Sequence, residues 1–208
     1  MRALIAIDVQ NDFLPGGSLA VPRGDEVIEP LLLVHPHVDV RVATQDWHPP
    51  DHVSFAGSHP GAQVGDVIQV DGLEQVLWPA HCVQDTRGAE LGHRLASLPF
   101  DTRIRKGVDP ALDSYSAFFD NARRRSTGLA DWLRERGVTS LWIGGLATDY
   151  CVLFSTRDAL ELGFEVHVIR DACRGIDLQP GDSERAFQAM EAAGARVVDA
   201  ATLAGAAR

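Results

Sequence analysis

Short apolar runs recur along the chain, and the candidate strands are 3–8, 38–44, 102–105, 139–145, 165–170 and 196–198. They are rich in Val, Ile and Leu and do not alternate strictly with polar residues, which is the pattern of strands covered on both faces. Between them lie stretches of helical periodicity, at about 24–34, 87–97, 127–136, 149–162 and 183–193. This alternation predicts an α/β fold: a three-layer α/β/α arrangement with a mainly parallel six-stranded sheet and helices on both faces. Gly137, Gly163 and Gly194 each close a helical run, and Ser183 is the expected N-cap of the last helix. The segment 47–81 is rich in Pro and Gly. It predicts a long connection with little regular structure, a form that compact domains usually keep for function.

At 208 residues the chain fits one domain, 1–208, able to bury a sizeable core without disulfides or a structural metal. A formal net charge of -10 argues against a nucleic-acid partner. The one basic run, Arg123-Arg124-Arg125, reads as a solvated surface. No apolar stretch approaches the ~18 residues of a membrane span. The N-terminal run ends in Asp8 and reads as a buried strand, not as a signal peptide. Cys82, Cys151 and Cys173 show no C-x-x-C or zinc-finger spacing, which fits free thiols in a reducing cytoplasm. A small-molecule substrate is the expected partner, with a homo-oligomer compatible.

In open α/β sheets ligands bind beyond the carboxyl ends of the strands. Four of the predicted strands end at chemistry-bearing residues: Asp8, then Asp46-Trp47-His48, then Lys106, then Thr148-Asp149-Tyr150-Cys151. With Thr148 as N-cap, Cys151 is the third residue of a helix, where the dipole favours a thiolate nucleophile. The alternative is a small apolar residue packed on the sheet, and Cys82 and Cys173 are read that way. Asp8 is a general base or the cap of a turn, and Lys106 is its partner or a surface lysine. Asp46, His48, His52 and His81 are either carboxylate and imidazole ligands for Zn, Fe or Mn or polar loop residues. G-x-S-x-G, Walker A, G-x-G-x-x-G and H-E-x-x-H are all absent, which removes the best support for serine hydrolase, P-loop and dinucleotide readings.

At these residues the chain resembles the isochorismatase-like cysteine hydrolases, and among them the nicotinamidase branch. The blocks that carry the resemblance are Ile7-Asp8-Val9-Gln10-Asn11-Asp12-Phe13, Thr44-Gln45-Asp46-Trp47-His48, Trp78-Pro79-Ala80-His81-Cys82, Lys106-Gly107-Val108-Asp109-Pro110, Tyr115-Ser116-Ala117-Phe118 and Gly144-Gly145-Leu146-Ala147-Thr148-Asp149-Tyr150-Cys151. The D-W-H and W-P-x-H blocks are the more specific part, because the isochorismatases and carbamoyl-amide hydrolases of the superfamily generally lack them.

The resemblance implies a catalytic triad of Asp8, Lys106 and Cys151. It implies one divalent metal ion, zinc first and Fe or Mn as alternatives, held by Asp46, His48 and His81. His52 stands closer to His48 than the further histidine ligand of some relatives and is left outside the set. A cis peptide before Ala147 is implied, with the N–H groups of Ala147 and Cys151 as oxyanion hole. Phe13 and Trp78 would sandwich a pyridine ring. The implied reaction is hydrolysis of nicotinamide to nicotinate and ammonia through a Cys151 thioester, a step of NAD salvage, with pyrazinamide as a side substrate. The competing expectation is a carbamoyl-amide or ureido hydrolase on the same scaffold.

Overall fold

The computed structural model describes residues 1–206. Its strands are β1 (Arg2–Ile7), β2 (Val40–Asp46), β3 (Val67–Val70), β4 (Leu73–Val76), β5 (Thr102–Lys106), β6 (Ser140–Leu146), β7 (Glu165–Arg174) and β8 (Arg196–Val198). Its α-helices are α1 (Ile28–Val34), α2 (His93–Ala96), α3 (Leu129–Glu135), α4 (Leu153–Glu161), α5 (Asp182–Ala192) and α6 (Ala200–Ala206). Six strands form one sheet in the order β5-β2-β1-β6-β7-β8, and every pairing in it is parallel.

The period of two along each strand sends successive side chains to opposite faces. Ala3, Ile5 and Ile7 of β1 join Leu141 and Ile143 of β6 in one core, with Leu129 and Leu133 of α3, Ala159 of α4 and Met190 of α5. Leu4 and Ala6 join Trp142 in the other core, with Leu31 and Val34 of α1, Leu95 of α2 and Leu203 of α6. Both faces are thus apolar and covered, which is why these strands read as continuous apolar runs. The chain builds outward from β1 through β2 to β5, then returns to the far side of β1 with β6. That reversal opens a crevice at the carboxyl ends of β1 and β6, the place where such sheets bind ligands.

The structure corrects several sequence expectations. The helix at 87–97 is a 3-10 turn, Arg87–Ala89, followed by the single-turn α2. A Cβ on Gly88 would run into the Asp12 carboxylate, so this turn packs directly on that side chain. The connection 47–81 contains an antiparallel hairpin, β3–β4, joined at Asp71-Gly72. Both turn residues have positive φ, 50° and 82°, as the favoured two-residue hairpin turn requires. β7 runs four residues beyond the expected 165–170, and α6 was not expected. Gly181, not Ser183, is the N-cap of α5, and the Ser183 amide and hydroxyl both donate to Asp177. Among the described residues no helix is long and apolar enough to cross a membrane.

Candidate active site

β1 ends one residue before Asp8, whose backbone turns into the left-handed region at φ 46°. Asp8 N–H donates to Thr44 Oγ1 (3.1 Å), and that hydroxyl donates back to Asp8 Oδ1 (2.6 Å). This reciprocal pair fixes the carboxyl group against β2. On β2, Asp46 lies opposite Lys106 of β5 in the parallel register. The Lys106 ammonium donates to Asp46 Oδ1 (2.6 Å), Ser114 O (2.8 Å) and Cys151 Sγ (3.4 Å). Asp8 Oδ2 lies 2.9 Å from the same Nζ as a fully buried ion pair, so four groups share three protons. Carboxylate oxygens of Asp8 and Asp46 and the Cys151 sulfur all lie within 4.8 Å of one another.

Burial governs the protonation of these groups. It pushes the Asp8 carboxyl up, to about 6, with Lys106 opposing and the Asp46 charge adding. Burial would raise Asp46 too, but Lys106, His48 and His81 together hold it well below the usual carboxylate range. The Cys151 thiol is pushed well up by burial, against the pull of Lys106. The resting arrangement is therefore a neutral thiol facing a carboxylate able to take its proton near neutrality. The helix end differs in form from the expected one. Cys151 sits in a π-helical turn, Thr148–Val152, that precedes α4 and has Ala147 as N-cap. Thr148 makes no cap bond, and its hydroxyl is buried without a partner.

The Leu146–Ala147 peptide is cis. The N–H groups of Tyr150 and Val152 both donate to the Ala147 carbonyl. Among the described residues no bond from the turn to its surroundings uses the N–H of Ala147 or Cys151.

Asp46, His48 and His81 bring one donor atom each within 4.8 Å, all buried. His48 Nε2 is 3.7 Å and His81 Nε2 is 3.9 Å from Asp46 Oδ2. Each ring uses its Nδ1 on a carbonyl, His48 on Gly107 O and His81 on Pro79 O, both at 2.8 Å. A carbonyl accepts only from N–H, so each ring in its neutral form keeps its Nε2 lone pair on the side of Asp46, although, against the opposing effect of burial, the Asp46 charge favours protonated His48. One carboxylate and two imidazoles so oriented fit a divalent metal with open positions. Gly107 makes this possible, since a Cβ there would run into the His48 ring. His52 stacks on His48 with ring centroids 4.1 Å apart. Its Nδ1 meets Ser54 Oγ (2.7 Å) and Ser54 N–H (3.3 Å), and with His48 and Asp113 the residue forms a second buried trio of donors within 4.8 Å of one another.

One pocket gathers most of the sequence-predicted residues, while Asp8 and Lys106 are buried beside Cys151 and do not line it. Phe13, Asp46, His48, Trp78, His81, Ala147 and Cys151 all line it. Phe13 tilts against His81 at 5.4 Å between centroids, so it adjoins the metal-capable set. The structure adds Leu19, Asp113, Tyr115, Tyr150 and Ile176, which the sequence reading assigned no role. It also gives Asp46 a second contact, with Lys106, beyond the two histidines. Tyr115 lay within a quoted block, but nothing local told its pocket-facing ring from a core one. Cys82 and Cys173 are free and buried, outside the pocket lining.

The Isochorismatase domain family matches residues 2–202. A nicotinamidase of Escherichia coli is 49% identical over 198 residues, covering 93% of this chain and 92% of its own. Among solved structures, a nicotinamidase/pyrazinamidase from Acinetobacter baumanii superposes with a TM-score of 0.93 at 43% identity, over 97% of each chain. The pyrazinamidase of Pyrococcus horikoshii, solved in complex with zinc, gives 0.77 at 39% identity over 95% of this chain and 98% of its own. The acid, lysine and thiol gathered at one sheet edge, together with this near full-length likeness, make the chain a member of the isochorismatase family and one of its amide hydrolases.

Proposed function

We propose that this chain hydrolyses nicotinamide to nicotinate and ammonia through a thioester on Cys151. The observation that carries the reading is the single pocket lined at once by Cys151, by Phe13 and Trp78, and by Asp46, His48 and His81. A flat ring between the two aromatics would meet the nucleophile at one end and the metal-capable set at the other. Asp46, His48 and His81 would hold a divalent metal, zinc first, and such an ion would supply a positive anchor for a ring nitrogen.

The chain's own groups perform the bond changes. Asp8 takes the Cys151 proton, and the sulfur attacks the carboxamide carbon. The N–H groups of Ala147 and Cys151 receive the oxyanion, each such donor being worth about 3–4 kcal/mol. Asp8 gives its proton to the amide nitrogen, the C–N bond breaks and ammonia leaves. Asp8 then takes a proton from water, the hydroxyl adds to the thioester carbon, the C–S bond breaks and the proton returns to sulfur. Lys106 stays charged throughout and offsets whichever carboxylate or thiolate carries the negative charge.

The test is ammonia release from nicotinamide together with metal content. Cys151→Ala should lose activity on the order of 10⁴-fold or more while keeping its metal. Asp46→Ala or His48→Ala should lose the metal. Undiminished turnover by Cys151→Ala would end the covalent mechanism.

A further inference from the structure

The β3–β4 hairpin carries one buried polar side chain toward the pocket, Gln75, which is 4% exposed. Its Nε2 donates to Val76 O on its own strand (2.8 Å), to Asp113 Oδ2 (3.1 Å) and to the Tyr115 hydroxyl (3.3 Å). That same hydroxyl accepts from the Trp78 indole N–H at 3.4 Å. Tyr150 closes the group edge-on, 5.0 Å from Trp78 and 5.4 Å from Tyr115 between ring centroids. Asp113, Tyr115, Trp78 and Tyr150 all line the pocket, whereas Gln75 does not. One amide thus ties the hairpin to two lining residues directly and to a third through a shared hydroxyl. The amide has two protons for these three acceptors, so one bond is shared, and removing the amide leaves Asp113 short of a partner.

We propose that Gln75 is a positioning residue for the ring-binding wall: by holding the Tyr115 hydroxyl it sets where the Trp78 indole stands, and so the width of the slot opposite Phe13. This rests on the reading that the pocket takes a planar ring. It acts on binding of the ring and not on the bond changes, because Gln75 contacts neither Asp8, Lys106 nor Cys151.

The test compares the metal-replete wild-type protein with Gln75→Leu, which keeps the side-chain bulk and removes the amide. Nicotinamide hydrolysis gives kcat and KM. The emission of Trp78 is read as the difference between each protein and its Trp78→Phe derivative. The expected result is a KM raised about tenfold, the scale of one to two buried hydrogen bonds, a kcat within about twofold and a shifted Trp78 emission. An unchanged KM with unchanged emission overturns the proposal, even if the variant melts earlier, since a purely structural residue would do only that. A fall in kcat at constant KM also overturns it. Should Gln75→Leu fail to fold, Tyr115→Phe removes the shared acceptor and keeps the ring, and the same rise in KM is expected. A wild-type protein inactive on nicotinamide overturns the functional reading instead, and the emission difference alone then decides the role of Gln75.

Discussion

Lys106 is one cation set between two buried carboxylates, and that imbalance tunes the site. Asp46 takes the shorter contact, at 2.6 Å, and stays ionised, while Asp8 is left with a carboxyl pushed up to about 6. The sign of the pH dependence follows. Below that value Asp8 is protonated and cannot accept the thiol proton, so kcat/KM should fall as pH drops through about 6. Above it the base is free and the profile should level until another group titrates. A pH series of kcat/KM checks this, and an acid limb centred near the ordinary carboxylate value of about 4 would assign the base elsewhere. The residues of this centre were legible in the sequence because Asp8, Asp46 and Lys106 end or directly follow strands and Cys151 lies in the turn after β6, so topology brings them to one edge. The ring-binding wall was not. Gln75 and Tyr115 meet across 40 residues of chain through a hairpin and a loop, and no periodicity reports such a meeting.

Elements decide how finely the metal-capable set is aimed. Gly107 follows β5 with φ 63°, and its missing side chain is the space the His48 ring occupies. Gly107→Ala should therefore swing His48 out of line, lower metal content and cut activity roughly 10²-fold, the usual cost of a misplacement near 1 Å. Metal analysis of the purified variant, with circular dichroism to show an intact fold, checks it. Full metal occupancy would mean that His48 has another way to stand. At this scale the sequence was only partly readable. Most strands of the main sheet appear as apolar runs, whereas β5 holds Ile104 alone among polar residues, and β7 extends further than its run suggested. The Asp71-Gly72 turn carried a recognised hairpin signal between Val67–Val70 and Leu73–Val76, but the weakly apolar flanking strands and the surrounding Pro and Gly hid it. The turn that replaces the expected helix at 87–97 packs Gly88 on Asp12, a contact that local propensity does not register.

On the scale of the whole molecule, the sheet is a rigid plate clamped between two apolar layers. Leu141 lies in the plate's interior on β6, fully buried and remote from the pocket. Leu141→Ala should cost about 2–5 kcal/mol of stability through lost transfer energy and a residual cavity. Urea denaturation measures it, and the activity per folded molecule should hold. A loss of kcat matching the loss of stability would mean that the plate flexes under the site. Four neighbouring strands, β5, β2, β1 and β6, carry the acid, the lysine and the thiol at or just past their ends. The hairpin that steadies the aromatic wall, by contrast, is inserted between β2 and β5 and pairs with no strand of that plate. The support of the wall and the reacting groups therefore sit on separate elements, even though Tyr150 of the wall shares its turn with Cys151. A change confined to the hairpin leaves the acid, the lysine and the thiol where the plate holds them.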